Sequence, residues 1–260
     1  MCLMSCEWKS WKIIKKQKMT KESISNHLLE LRTRLLKVII LFGILVIVGI
    51  PFASEIYSFV AAPLISLLPD GSSMIATEVA SPFMAPIKLV IYIALLFSMP
   101  WLFYQTWVFI SPGLYKNEKR FTAPLMLSTI ILFFSGAGFA FFIVCPIIFK
   151  FFIGMAPDSI QVMTDISQYL SFIFKLVFAF GMAFEIPIAT ILIVNSGIVS
   201  KASLIRARPY LIVLFLVIGM LLTPPDIFSQ LFLAIPMWIL FELGILLSNC
   251  LLYTSDAADE

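Results

Sequence analysis

Apolar residues occupy six long blocks, separated by short polar or Pro/Gly-marked stretches. The blocks cover about 35–53, 86–110, 123–149, 168–195, 210–222 and 227–248. All but 210–222 reach the roughly 20 residues that cross a hydrocarbon core as a helix. Pro51 is expected to end the first block, because proline lacks the amide a helix interior needs. Just before that block, Leu28, Leu31 and Leu35 recur at helical spacing beside Glu30, Arg32 and Arg34. This pattern predicts an amphipathic helix lying in the interface, capped by Ser25-Asn26 and feeding the first span.

Between the first two blocks, Ser54–Ala85 contains Pro63, Pro69, Asp70-Gly71 and Pro82 among apolar residues, which predicts a long loop carrying short helices. A second loop covers Lys150–Ser167, and Thr223-Pro-Pro-Asp226 reads as a hairpin between the last two blocks. The expected fold is all-α with six transmembrane helices, the last two short. Tyr210–Leu222 would rise only about 20 Å against a core of about 30 Å. Either the bilayer thins around it or flanking residues complete the helix.

Composition agrees with the pattern. The chain is 61% hydrophobic and 13% charged, with a mean hydropathy of +1.03; soluble domains carry about 25% charge. A net charge of +3 gives no sign of a nucleic-acid partner. Cys2, Cys6, Cys145 and Cys250 form neither a disulfide framework nor a metal spacing, and His27 is the sole histidine. No cofactor or metal is expected.

Charge distribution sets the orientation. Lys21, Arg32, Arg34 and Lys37 flank the start, Lys116, Lys119 and Arg120 follow the second block, and Lys201, Arg206 and Arg208 precede the fifth. The other side has Lys88 and Lys150 near span ends. Positive-inside bias places both termini and the two basic loops in the cytoplasm.

Candidate chemistry is sparse. Tyr104–Arg120 holds amphipathic rings of the kind favoured at a membrane–water boundary (Trp101 just before it, then Tyr104, Trp107 and Tyr115), a Ser-Pro-Gly break and a charged knot. Within that knot Glu118 is an acid among bases: either solvated in a positive-inside loop or a receptor for a cationic ligand. Glu185 stands inside the fourth block, where a carboxylate needs a cavity or a polar partner. Pro187 is expected to kink that helix. Lys175 is too distant along the helix, at about 15 Å, to pair with Glu185 directly. Glu242 is similar but nearer an end, and Asp226 and Gln230 read by position as helix-start residues. At the termini, 1–18 reads as an extension with Met19 as the expected start. Residues 250–260 turn abruptly small and acidic, as a non-native tail would, with the natural C-terminus expected to be truncated.

Several motifs, in order, resemble the TatC family, the membrane receptor of the twin-arginine protein translocase. They are His27–Arg34, Met74–Pro82, Tyr104–Arg120, Phe184-Glu-Ile-Pro187 and Gly219–Gln230. The resemblance runs from about Met19 to Ser248, so 19–248 is taken as one membrane domain. It implies a concave, glove-like bundle in the bacterial cytoplasmic membrane that takes part in exporting folded proteins, driven by the proton-motive force. Implied partners are twin-arginine signal peptides, TatA- and TatB-type single-span subunits, other TatC copies and the lipid membrane. By residue, the resemblance implies that Glu30 and Glu118 receive the arginine pair, with Phe109, Pro112, Lys119 and Arg120 shaping the site. Two carboxylates for two planar guanidinium forks is sensible chemistry. It further marks Glu185 on the concave face and Pro63, Asp226 and Gln230 as sensitive positions. Some relatives read His-Glu-Arg-Arg where this chain has Asn117-Glu-Lys-Arg120, which conserves the charge.

Two other classes stand beside this reading. A secondary transporter would use Glu185 as a proton or ion site, but should show paired broken helices in corresponding halves. An intramembrane enzyme needs a nucleophile–base pair or metal ligands, and no HExxH or second histidine is present. A non-catalytic protein is expected.

Overall fold

The computed structural model describes residues 29–65, 75–110, 119–155, 165–195, 197, 199–222 and 227–256. Among them the regular structure is helical, apart from an isolated bridge between Ile75 and Asp165. Six helical stretches are long and apolar enough to cross a membrane: Leu29–Ala62, Ser81–Phe109, Pro124–Gly154, Ile166–Val194, Lys201–Leu222 and Gln230–Ser248. The expected all-α, six-span architecture is therefore present.

Helix α1 occupies 29–49 and continues without a break through the segment expected to lie apart in the interface. Nor does Pro51 end the run. It sits in a 3-10 turn, Ile50–Phe52, that leads directly into α2, Ala53–Ile65. At the first turn of a new helix the missing proline amide has no partner to lose, so the chain passes on instead of stopping.

Helix α3 is Ser81–Ile110 and begins ahead of the expected Pro86, with Pro82 in its first turn and Pro86 and Pro100 inside it. The third span comprises α4, Lys119–Phe139, a π-helical turn, Ala140–Val144, and α5, Cys145–Gly154. Pro146 lies two residues past that turn; its missing amide cannot bond back into it, which explains why the ladder loosens there. The fourth span is broken as Pro187 predicts: α6, Ile166–Ala183, gives way at Phe184-Glu185 to α7, Ile186–Asn195.

Helix α8, Lys201–Leu222, has 22 residues. Its basic first turns complete what the apolar run left short. Helix α9 covers Ile227–Asp256 and extends past Cys250.

The fourth span is the axis of the bundle, with 44% of its most apolar window buried, against 6% for the first. Phe133, Leu176, Phe180 and Val144 are fully buried where α4, the π turn and α6 meet. Two glycines allow this closeness. A Cβ on Gly136 would lie 2.7 Å from the Phe180 carbonyl oxygen, and one on Gly181 2.7 Å from the Phe133 ring. A second cluster, with Phe215, Met237 and Phe241, fastens α8 and α9 to the α6–α7 break.

Candidate functional site

At the end of the bundle where α1 begins, one guanidinium joins two helices. Arg34 donates from Nε to Glu30 Oε1 at 3.1 Å and from Nη2 to the same oxygen at 2.5 Å. Its Nη1 donates to Gln105 Oε1 on α3 at 3.1 Å. Glu30 and Arg34 meet because residues four apart share a helix face. Gln105 itself is buried at 6% exposure, so the anchor on α3 is fixed. The Glu30 side chain keeps 44% of its surface exposed and can accept further donors.

Phe109 lies half-buried one turn beyond Gln105. From there α3 leads towards Pro112 and Glu118, which lie outside the described residues, as does His27. Lys119 and Arg120 open α4, and Pro63 lies within α2. Of the sequence-predicted binding residues, Glu30 and Phe109 thus come to neighbouring ends of α1 and α3. Trp107 differs from expectation. It is not a boundary ring but points inward, 5% exposed, and donates its Nε1 hydrogen to Thr129 Oγ1 on α4 at 3.2 Å.

That hydroxyl belongs to a polar node in the interior. Thr129 also stands against the carboxyl of Glu185, which is partly buried at the α6–α7 break. Glu185 Oε1 is sealed from solvent and has no hydrogen-bond partner among the described residues. The break supplies the room, since Pro187 cannot bond back to Ala183. Glu185 is therefore inside the bundle as expected, with a tryptophan–threonine pair that apolar periodicity does not announce.

At the far end of the last two spans, Gln230 Nε2 donates to the Leu216 carbonyl at 2.8 Å, tying α9 to α8. Gly219 leaves the space: its Cβ position is 3.2 Å from the Gln230 carbonyl oxygen. Asp226 lies outside the described residues. Nearer the other end, Arg208 Nη2 meets Glu242 Oε2 at 2.7 Å across the same two helices. Among the described residues no group of three or more His, Cys, Asp or Glu converges as metal ligands do.

The family profile for the Sec-independent protein translocase protein TatC matches residues 26–236. The chain belongs to the TatC family. TatC of Azotobacter chroococcum mcd 1 is 52% identical over 219 residues, covering 84% of this chain and 86% of that protein. TatC of Escherichia coli (strain K12) is 50% identical over 228 residues, covering 88% of each. A crystal structure of the twin-arginine translocase receptor TatC superposes with a TM-score of 0.78 at 37% identity. It covers 86% of this chain and 98% of the solved one. For a TatC protein, the long apolar helices make a multi-pass membrane protein.

Proposed function

We propose that this chain is the receptor subunit of a twin-arginine translocase. It binds the arginine pair of signal peptides on folded precursors and, with TatA- and TatB-type single-span partners and further copies of itself, exports them. Export draws on the proton-motive force and crosses the bacterial cytoplasmic membrane. Both termini face the cytoplasm, as the Lys/Arg bias supports. The subunit itself is non-catalytic.

In this reading Glu30 and Glu118 receive the two guanidinium groups, with Phe109, Pro112, Lys119 and Arg120 around them. Glu185, Gln230, Asp226 and Pro63 serve the intramembrane part of the route. The observation that carries the Glu30 assignment is its bond to Arg34: this carboxylate already accepts two N–H groups of one guanidinium in a half-exposed position. Its geometry suits the incoming ligand. Family kinship supports this reading over an ion-coupled solute transporter built on Glu185.

The test is binding of a twin-arginine signal peptide to the purified protein and to its Glu30→Gln and Glu118→Gln variants, with a twin-lysine peptide as control. Each variant is expected to lose about 10- to 100-fold, as removing a charged hydrogen-bond partner does. Undiminished binding and export by both variants would remove the two glutamates from the site.

A further inference from the structure

At the opposite end of the bundle from Arg34, α3 and α6 begin side by side and enclose a polar pocket of about 360 Å³. We propose that this pocket binds a phosphate group, carried by a membrane phospholipid or free in solution.

Two ammonium groups line it, Lys88 from α3 and Lys175 from α6. Lys88 Nζ donates to Ser167 Oγ at 3.1 Å. Among the described residues, ion pairs join Arg34 to Glu30 and Arg208 to Glu242, so neither lysine has a carboxylate partner. Unpaired lysines within membrane spans are costly unless they reach polar surroundings, which makes them a candidate site by default.

Their depth points to the ligand. Lys88 follows Ser81 by seven residues and Lys175 follows Ile166 by nine, about 10 and 14 Å along their helices. Both spans are 29 residues long, at most about 43 Å, so centring them on a hydrocarbon core of about 30 Å leaves an overhang of up to about 6 Å at each end. The two Cα atoms then lie about 4 and 7 Å below the boundary, from which a lysine stem reaches the phosphate layer.

The remaining lining completes a phosphate site. Ser81 Oγ is buried and has no hydrogen-bond partner, leaving a donor unused; Ser167, which accepts from Lys88, and Ser171, whose hydroxyl donates to the Ser167 carbonyl at 2.8 Å, also line the pocket. Two acids line it as well. Asp165 is already occupied, accepting from the Thr77 amide and hydroxyl and from the Gln168 amide. Glu78 is exposed to solvent at the rim. Glu78 shares that exposure with Lys88 and Lys175, and neither acid forms an ion pair with either lysine, so both ammonium groups stay open to a phosphate.

The whole protein is placed in nanodiscs of phosphatidylglycerol diluted in a neutral, phosphate-free lipid matrix, and lipid retention is read by native mass spectrometry. Free phosphate is titrated separately, with 31P line broadening as the readout. Lys88→Gln/Lys175→Gln is expected to retain about tenfold less phosphatidylglycerol than the unaltered protein, while Lys88→Arg/Lys175→Arg retains it. Equal thermal unfolding of the variants shows that they are folded. Retention of lipid without a response to inorganic phosphate assigns the site to a headgroup. A phosphate response that the Gln variant abolishes, without lipid retention, assigns it to the free ion. If unaltered and Gln proteins behave alike in both arms, the proposal is overturned.

Discussion

Nη1 of Arg34 lies 3.1 Å from Oε1 of Gln105, so the first helix is latched to the third at the end where Glu30 sits. The same guanidinium holds the Glu30 carboxylate. In the proposed receptor this internal arginine competes with the incoming pair for the carboxylate. The competition is modest, because a half-exposed pair four residues apart on a helix is worth under about 1 kcal/mol.

Arg34→Gln removes the competitor and keeps a side chain able to bond Gln105. Twin-arginine peptide affinity is expected to rise by about 2- to 5-fold, the equivalent of that pair. Fluorescence titration of a labelled peptide measures it. Weaker binding by the variant would instead make Arg34 a support for Glu30.

Two nearby glycines predict opposite outcomes. A methyl on Gly136 meets the Phe180 carbonyl and the Phe184 ring at 2.7 Å, whereas one on Gly138 meets nothing within 4 Å. The backbone oxygen cannot swing away, so Gly136→Ala should destabilise by about 1–3 kcal/mol. Gly138→Ala should be neutral or stabilise by up to about 1 kcal/mol, since alanine loses less backbone freedom in a helix. Thermal unfolding in detergent compares the two. Equal melting temperatures would mean that α4 and α6 pack more loosely than described.

The six spans were legible because hydrocarbon demands long apolar blocks, and the Glu185 break because Pro187 cannot complete a helical ladder. Pro51 misled because one residue type both ends a helix and begins one; which applies depends on whether the following residues find a packing surface. For Ala53–Ile65 that surface is α3, invisible in one dimension. Trp107 misled for a related reason. An indole near a span end suits the interface, but here the helix face turns it onto Thr129, 22 residues along the chain. Of the proposed binding site, Glu30 was marked by the family resemblance alone, since the helical pattern showed it only as one charge beside Arg32 and Arg34. Gln105 did not, since a glutamine inside an aromatic run shows no partner until α1 is laid against α3.

The Gln230 bond to Leu216 predicts a specific sensitivity of the last two spans. Gln230→Leu keeps the bulk but loses the interhelical bond, worth on average about 0.6 kcal/mol within membranes. Cysteine crosslinking between α8 and α9, at exposed positions such as Val217 and Leu231, should become less selective among neighbouring pairs. An unchanged crosslinking pattern would show that Gly219 and the apolar contacts hold the register alone.

Asp165 gives the clearest pH prediction. Its carboxyl is held down to about 2, chiefly by the Thr77 hydroxyl, then by the Gln168 and Thr77 amides. A depressed pKa means that the carboxylate's contribution is complete above the ordinary value of about 3.9 and is lost as pH falls towards 2. These bonds join the segment before α3 to the cap of α6, beside the Ile166 amide's bond to the Ile75 carbonyl at 3.0 Å. Hydrogen-exchange protection of the Thr77 and Gln168 amides should therefore be level from pH 7 to about pH 4, after correction for intrinsic exchange, and fall below that. Asp165→Asn should show weaker protection at pH 7 and no such fall, because its one amide oxygen cannot satisfy all these donors and does not titrate. A variant as well protected as the parent at pH 7 would show that the backbone bridge between Ile75 and Ile166, and not the carboxylate, ties the two segments together.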